Sequence, residues 1–124
     1  MIYLDTHALV WIITGSDDKF SRSTQLALKK NKLLISPMVL LEIEFLYEIK
    51  RIKHGTERVM EVARKDFNIE TCRTAFEEVV TAACLESWTR DPFDRVIVAQ
   101  ARINAAKLLS FDRAIMDHYL RTIQ

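Results

Sequence analysis

The sequence predicts an α/β fold in which helices cover both faces of a mainly parallel sheet. Three short apolar runs, at residues 1–4, 33–35 and 108–109, alternate with longer segments that have helical spacing. The runs contain too few polar positions for strands that face solvent on one side, and such strands are typical of parallel sheets. Only two glycines and two prolines occur, which indicates regular elements joined by short connections.

The length and composition indicate one folded domain that spans residues 1–124. The hydrophobic fraction is 49% and the charged fraction 28%, as in a globular protein, and the net charge of +1 neither favours nor excludes a nucleic-acid partner. Cys72 and Cys84 form no zinc-binding pair, so the sequence predicts two buried thiols in a reducing compartment. The apolar run at residues 9–13 is too short to span a membrane, and we therefore expect a cytoplasmic protein.

Helix starts are the clearest signals along the chain. Ser36 and Asp91 can each cap a helix, and Pro37 and Pro92 suit the first helical position. The predicted elements are a strand at 1–4, helices at 7–13 and 21–30, a strand at 33–35, helices at 36–54 and 56–65, an edge strand at 68–70, helices at 74–87 and from 91, a strand at 108–109 and a helix from 113.

Helix ends are less clearly marked. Gly55 suits a left-handed position after the helix that begins at Ser36, so this helix is predicted to end near residues 54–55. Thr74 and Glu77 have the spacing of a capping box for the next long helix. Residues 104–107 lack a glycine or proline to end the helix from Asp91, and the twelve residues after Asp112 give no clear strand.

Four acidic side chains are predicted to meet at one edge of the sheet. Asp5 and Asp112 follow apolar strands, and ligands of such sheets bind beyond the carboxyl ends of the strands. Glu42 lies on a helix that begins at the same edge, and Asp94 lies in the first turn of another. The face of Glu42 also carries Met38, Phe45, Leu46 and Ile49, which we take as the buried side. Glu44, about 200° around the helix, should face solvent.

Clustered carboxylates without a lysine among them favour a cation site. Like charges at short range are unfavourable unless a cation joins them, and hard oxygen ligands suit Mg²⁺ or Mn²⁺. Such an assembly is typical of phosphodiester hydrolysis. Other roles stay open for the acids taken singly: Asp5, Asp91 and Asp112 can cap the helices that follow them, and Asp94 can favour a helix dipole.

Four blocks of the sequence resemble the PIN-domain proteins of the VapC toxin group. They are MIYLDTH at residues 1–7, ISP at 35–37 with LEI at 41–43, RDPFDRVIVAQA at 90–101, and LLSFDR at 108–113. The blocks come in the family's order and span nearly the whole chain. The third is the most specific, whereas the Asp-Thr pair at residues 5–6 alone would be weak.

This resemblance implies a three-layer α/β/α PIN fold and a Mg²⁺- or Mn²⁺-dependent endoribonuclease that acts as the toxin of a type II toxin–antitoxin pair. The family's metal ligands and catalytic acids correspond to Asp5, Glu42, Asp94 and Asp112. Asp91 is a fifth candidate acid, and Thr6 and Ser110 match positions near the metal. The implied partners are an RNA substrate, a VapB-type antitoxin and a second copy of the chain, with a larger toxin–antitoxin assembly also open.

Surface residues suggest where RNA and protein partners would bind. Basic side chains that could contact flanking phosphates are Arg90, Arg95, Lys50, Arg51 and Lys53, although each also fits a solvated rim. Residues 45–52 and the region of Trp11 offer apolar surface for an antitoxin segment or a homodimer. His7, beside Asp5, is predicted to pack or cap rather than to act as a base.

Two other functions stay open from the sequence. One is a non-catalytic PIN-fold module that binds RNA or protein, which would be expected to lack one or more of the acids. The other is a phosphatase like the haloacid dehalogenases, which also place an Asp after the first strand. That family needs a second Asp two residues later, and His7 occupies this position.

Overall fold

A five-stranded sheet, in which every pairing is parallel, forms the centre of the protein. The computed structural model describes all residues, 1–124. The strands are β1 (Ile2–Leu4), β2 (Leu33–Ile35), β3 (Glu70–Thr71), β4 (Lys107–Leu109) and β5 (Thr122–Ile123). Their order across the sheet is β3-β2-β1-β4-β5. In the central strand, Tyr3 lies opposite Leu34 on one side and Leu108 on the other.

Seven helices connect the strands. They are α1 (Thr6–Ile13), α2 (Arg22–Lys30), α3 (Pro37–Glu48), α4 (Thr56–Phe67), α5 (Phe76–Ala83), α6 (Pro92–Ile103) and α7 (Arg113–His118), with a short 3-10 turn at Asp17–Lys19. Every residue of β1 and β2 is buried. Because side chains alternate between the faces of a strand, both faces of the central sheet are covered. The predicted α/β/α fold class is confirmed.

The hydrophobic core lies on the two faces of this sheet. Its largest fully buried side chains include Tyr3, Leu4, Ile35, Leu108 and Leu109, all from the three inner strands. Helix α6 adds Ile97, Val98 and Ala101 to the same cluster. A rigid core beneath the sheet edge fixes the strand ends, and with them the residues that follow each strand. No helix is both long enough and apolar enough to cross a membrane.

The helix that begins after Ser36 ends earlier than the sequence predicts. Helix α3 stops at Glu48 because Lys50 adopts a left-handed backbone conformation (φ 62°) without a glycine. Gly55 instead precedes α4 as its N-cap. A Cβ at Gly55 would lie 2.8 Å from Glu44 Oε1 and 3.2 Å from Tyr47 Cδ1, so a larger residue there would require these side chains to move.

The predicted capping box at Thr74 is wrong. Helix α5 begins at Phe76, its N-cap Ala75 makes no side-chain cap, and the helix ends at Ala83 rather than Ser87. The Thr74 hydroxyl instead lies 3.2 Å from Cys72 Sγ and 3.4 Å from Asn104 Nδ2. The Thr74 hydroxyl therefore makes tertiary hydrogen bonds instead of capping helix α5.

Three other features differ from the predictions. Cys84 is exposed and only Cys72 is buried, because Cys84 lies at the outward C-terminal end of α5. Ala105 ends α6 in a left-handed conformation (φ 48°), which a glycine usually occupies. Thr122 and Ile123 form the edge strand β5, which pairs with Leu108 and Leu109.

Candidate functional site

The carboxyl end of β1 places Asp5 at the centre of the candidate site. Its backbone N–H donates to Leu109 O at 3.1 Å, which links the ends of β1 and β4. Its Oδ1 accepts from Ala8 N at 2.8 Å, so Asp5 caps α1, as the sequence left open. Asp5 is only 7% exposed. Burial raises the pKa of this carboxyl, against the effect of Ser110, the Ala8 N–H and His7.

The end of β4 brings Ser110 and Asp112 to the same edge. Ser110 is fully buried, and its backbone N–H donates to Ile123 O at 3.1 Å. Its hydroxyl accepts from Asp112 N at 3.1 Å, which fixes the turn between the strand and α7. Asp112 is exposed, and its Oδ1 caps α7 by accepting from Ile115 N at 3.0 Å. The capping role that the sequence left open for Asp112 is therefore real as well.

A hydroxyl–carboxylate hydrogen bond joins α1 to α3 at this edge. The Thr6 hydroxyl, which is buried, donates to Glu42 Oε1. Burial raises the pKa of Glu42, and the charges of Asp91 and Asp5 add to the rise. The Thr6 hydrogen bond and the nearby His7 act in the opposite direction. Glu42 is therefore half-buried and fixed by one hydrogen bond among other acids.

The predicted buried face of α3 is wrong, although Glu42 does reach the site. The fully buried residues of this helix are Val39 and Ile43, one turn apart. Phe45 and Ile49 are each 47% exposed. The apolar stripe of α3 is wider than the surface that the core covers, so part of it stays in solvent. Glu44 is half-buried rather than solvent-facing, because its Oε1 lies 3.4 Å from Thr56 N in the following loop.

The start of α6 supplies the remaining acids. Asp91 caps the helix, and its Oδ1 accepts from Phe93 N at 2.8 Å and from Asp94 N at 3.3 Å. Asp94 is half-buried in the first turn. The pKa of Asp94 is raised to about 7, first by burial and then, in order, by the charges of Asp91, Asp112, Glu42 and Asp5. Asp94 therefore lies within electrostatic range of all four other acids, which come together from four separate segments of the chain.

The predicted basic residues lie on two segments. Arg90 Nη1 donates to Ser87 O at 2.9 Å and Arg95 Nε to Thr89 O at 2.8 Å, so both guanidinium groups hold the loop before α6. Lys50, Arg51 and Lys53 are exposed between α3 and α4. The two arginines adjoin the acids, whereas the lysine-containing loop follows the far end of α3.

His7 is a site residue whose electrostatic effect the sequence reading did not assign. It is exposed, and its charge lowers the pKa of both Asp5 and Glu42. Its ring lies 6.4 Å from that of Trp11, in line with the predicted packing. The ring of Phe93, beside Asp94, stacks on that of Phe45 at 6.1 Å. The sequence feature that could have indicated this effect is the position of His7 directly after Asp5 and Thr6.

The donor chemistry of this edge fits a hard divalent cation. All of the side chains that raise the Asp94 pKa are carboxylates, and no lysine or arginine is among the groups that shift it. No three His, Cys, Asp or Glu side chains already stand in a metal-ligating arrangement. One oxygen each of Asp5, Asp91 and Asp112 caps a helix. Holding a cation would therefore require these side chains to draw closer together.

Solved structures similar to this chain include toxin–antitoxin complexes. A chain in the crystal structure of VapBC2 from Rickettsia felis bound to a DNA fragment from their promoter has a TM-score of 0.65 and 20% identity, over 99% of this chain and 96% of that one. A chain in a toxin–antitoxin complex from Klebsiella pneumoniae has a TM-score of 0.65 and 16% identity, over 100% and 97%. A chain in the crystal structure of FitAcB from Neisseria gonorrhoeae has a TM-score of 0.53 and 12% identity, over 100% of this chain and 97% of that one.

Sequence comparison gives the family. No curated protein matches the sequence. At 12–20% identity, the similarity between this chain and the solved structures shows a shared fold. The PIN domain family matches residues 2–119, which is nearly the whole chain and contains all five acids. The chain therefore belongs to the PIN domain family.

Proposed function

We propose that this protein is a metal-dependent endoribonuclease. The observation that carries the proposal is the convergence of Asp5, Glu42, Asp94 and Asp112, with Asp91 beside them, at the carboxyl edge of a parallel sheet. Burial, together with the charges of the other four, raises the Asp94 pKa to about 7. PIN domains are generally nucleases, and a carboxylate cluster of this kind suits the hydrolysis of a phosphodiester. The cleavage would leave a 5′-phosphate and a 3′-hydroxyl.

The residues of the site have distinct tasks under this proposal. Asp5, Glu42, Asp94 and Asp112 would hold Mg²⁺ or Mn²⁺. The cation would act as a Lewis acid on a phosphate oxygen and on water. Thr6 orients Glu42 through its hydroxyl, and Ser110 holds the backbone of Asp112. Arg90 and Arg95 adjoin the acids and would meet the phosphates that flank the cleaved bond.

Isosteric variants of the four acids test the proposal. Asp5→Asn, Glu42→Gln, Asp94→Asn and Asp112→Asn should each reduce Mg²⁺-dependent cleavage of a structured RNA pool by about a hundredfold or more, because each removes a charged donor at the reacting phosphate. Circular dichroism checks that each variant folds. Glu48→Gln, an exposed acid on the same helix as Glu42, is the matched control and should cleave like wild type. Full activity in Asp94→Asn would remove that residue from the site.

We propose further that the protein acts in the cytoplasm as the toxin of a type II toxin–antitoxin pair. The apolar surface of α3 supports this. Leu41 is 58% exposed, and Phe45 and Ile49, at successive turns on the same face, are each 47% exposed. Phe45 stacks on Phe93, beside Asp94. Exposed apolar groups at this density are typical of protein-binding surfaces. A VapB-type antitoxin segment, or a second copy of the chain, would cover them, in agreement with the complexes that share this fold.

Expression in a bacterial host tests the toxin role. The chain alone should slow growth, Asp94→Asn should relieve the effect, and co-expression of a small adjacent antitoxin gene should restore growth. A Phe45→Glu variant should cleave RNA in vitro yet escape the antitoxin, because it places a charge in the apolar surface. Unaffected growth at high levels of soluble, active enzyme would count against a toxin while leaving the nuclease proposal intact.

A further inference from the structure

A second polar cluster surrounds Cys72, apart from the acids. The Tyr3 hydroxyl donates to Cys72 Sγ at 2.9 Å, and the Thr74 hydroxyl lies 3.2 Å from the same sulfur. Asn104 Nδ2 donates to the Tyr3 hydroxyl at 3.0 Å, so one hydrogen-bond chain leads from α6 to the thiol. Cys72 is 8% exposed. This cysteine therefore lies at the edge of the hydrophobic core, with hydroxyl and amide groups on the side of its sulfur.

Two buried oxygens beside this thiol have no hydrogen-bond partner. They are Oε1 of Gln100, a residue that is only 1% exposed, and Oγ1 of Thr71. The Gln100 side chain lies close enough to Cys72 to help lower the pKa of its thiol. A buried polar atom without a partner costs about 1–3 kcal/mol. Unpartnered oxygens next to a thiol indicate a place where a small polar group can be accepted.

A pocket of about 430 Å³ leads from the surface to the cluster. It lies where the short edge strand β3 meets β1 and the end of α6. Its walls include Tyr3, Thr71, Cys72 and Asn104, and the basic Lys32 and Arg73 lie at the same pocket. Because Cys72 is almost covered, only a small molecule can reach its sulfur. The unpartnered Thr71 hydroxyl lies along this route.

We propose that Cys72 is a modification site at which small hydroperoxides oxidise the thiol to a sulfenic acid. The sulfur, as thiolate, attacks one oxygen of hydrogen peroxide and the O–O bond breaks. The other oxygen leaves as hydroxide and takes up a proton to form water. The net change is Cys–S⁻ + H₂O₂ + H⁺ → Cys–SOH + H₂O, in which sulfur loses two electrons and the peroxide gains them. The new S–O–H group can donate to the unpartnered oxygen of Gln100.

The surroundings of the sulfur favour the reactive form. Burial acts to raise the pKa of the Cys72 thiol, but hydrogen bonds from Thr74, Tyr3 and Gln100 outweigh it, and the net pKa is lowered. The thiolate is the nucleophile in such reactions. Cys84 provides the internal comparison, since it is exposed and its sulfur makes no hydrogen bond. Accessibility alone therefore predicts that Cys84 reacts first, whereas the proposal predicts Cys72.

Peroxide trapping in the full chain tests the proposal. Folded Cys84→Ser and Cys72→Ser proteins are treated with dilute hydrogen peroxide and dimedone, and the adduct is measured by mass spectrometry. We expect faster labelling of Cys72 in the first protein than of Cys84 in the second. The bulky Ellman's reagent should show the opposite order, because the Cys72 sulfur is almost covered whereas Cys84 is exposed. Labelling of Cys84 alone, with Cys72 reacting only after unfolding, would overturn the proposal.

Removal of one donor tests the cause of the reactivity. In the Cys84→Ser protein, Tyr3→Phe should slow Cys72 oxidation about threefold for each unit by which the thiol pKa rises, since the tenfold loss of thiolate is partly offset by greater nucleophilicity. Tyr119→Phe is the matched control, because that buried hydroxyl donates to Ala106 O instead. Equal rates in both variants would contradict this role of the hydrogen-bond donors. Thr74→Val replaces Tyr3→Phe if circular dichroism shows that the latter does not fold.

Discussion

The Asp94 carboxyl shows how the surroundings of a single residue can make its charged form unfavourable in the folded protein. It lies half-buried in the first turn of α6, with four other acids in electrostatic range. Its pKa is about 7 in the folded protein, against 3.8 for the ordinary side chain. The folded state therefore binds more protons than the unfolded chain between these values. The contribution of Asp94 to stability falls as pH rises from about 4 to 7, and the loss is complete above pH 7.

Asp94→Asn should therefore stabilise the metal-free protein at neutral pH. Asparagine carries no charge, so the variant does not lose stability when the pH rises. We expect its free energy of unfolding to exceed that of wild type by about 1–2 kcal/mol after allowance for solvent screening. The melting temperature in EDTA at pH 8 should rise by roughly 3–8 °C. At pH 4 the two proteins should melt together, since the wild-type carboxyl is then neutral when folded. A lower melting temperature for the variant at pH 8 would mean that Asp94 is a structural partner.

The same residue predicts that cation affinity depends on pH. A ligand carboxyl must lose its proton before it can hold Mn²⁺, and the Asp94 pKa of about 7 places this loss near neutrality. The apparent dissociation constant for Mn²⁺, measured by calorimetry, should weaken by up to about tenfold between pH 7 and pH 6. Asp94→Asn should bind more weakly and with less pH dependence. An affinity that is constant from pH 6 to pH 8 would contradict this assignment.

The sequence could predict features that depend on neighbouring residues, but not contacts between residues that are far apart along the chain. Asp5 and Asp112 were predicted because each directly follows a strand, a relation that is visible locally. The hydrogen bond from Thr6 to Glu42 does not follow from a local pattern, because the two residues lie 36 positions apart and meet only through the packing of α1 on α3. Only the family resemblance placed Thr6 near the acids. The Asp94 pKa depends on acids from four segments, so no local pattern could give it.

At the scale of elements, helix starts were predicted better than helix ends. Ser36 and Asp91 cap α3 and α6 as expected, since serine or aspartate before proline is a specific local signal. The ends of the same helices use Lys50 and Ala105 in left-handed conformations. Neither residue type favours that conformation, so tertiary packing determines where these helices stop.

An ion pair that the sequence did not reveal joins the buried Glu86 to the half-exposed Arg102. Glu86, 4% exposed, lies in the loop between α5 and α6 and accepts from Arg102 Nε and Trp88 Nε1, each at 2.6 Å. Arg102 Nη2 also donates to His118 O, and the Trp88 ring stacks on the His118 ring at 4.9 Å. The loop that leads to Asp91 is thereby fixed to α7, the helix that Asp112 caps.

Glu86→Ala should consequently destabilise the protein by about 1–2 kcal/mol, because Trp88 and the half-exposed Arg102 lose an acceptor that is itself buried. Denaturant unfolding followed by circular dichroism measures the change. Glu61→Ala is the matched control: its partner is Arg58, both side chains are 60% exposed, and the loss should stay below about 0.5 kcal/mol. Equal effects of the two substitutions would show that the pair of Glu86 and Arg102 has no special contribution.

At the scale of the whole molecule, the C-terminal residues join parts of the chain that are far apart in sequence. Strand β5 pairs with β4, and Ile123 O accepts the Ser110 N–H. The backbone oxygen of Gln124 accepts from Ser21 Oγ at 2.8 Å and Thr24 Oγ1 at 2.5 Å, at the start of α2. The two contacts of Gln124 join residues about a hundred positions apart, so no local pattern predicts them. Strand β5 has only two residues, one of them apolar, and was not predicted for that reason.

A chain that ends at Arg121 should lose both stability and cation affinity. Removal of residues 122–124 leaves the Ser110 N–H unpaired at a fully buried position and exposes part of the core beneath Ile123, at a cost of about 3 kcal/mol. Ser110 also holds Asp112, so the acids should hold Mn²⁺ more weakly as well. Thermal melts with EDTA and with Mn²⁺ measure the two effects separately. Gln124→Ala keeps the backbone oxygen and should match wild type, and a truncated chain that melts and binds Mn²⁺ like wild type would show that β5 does not support the site.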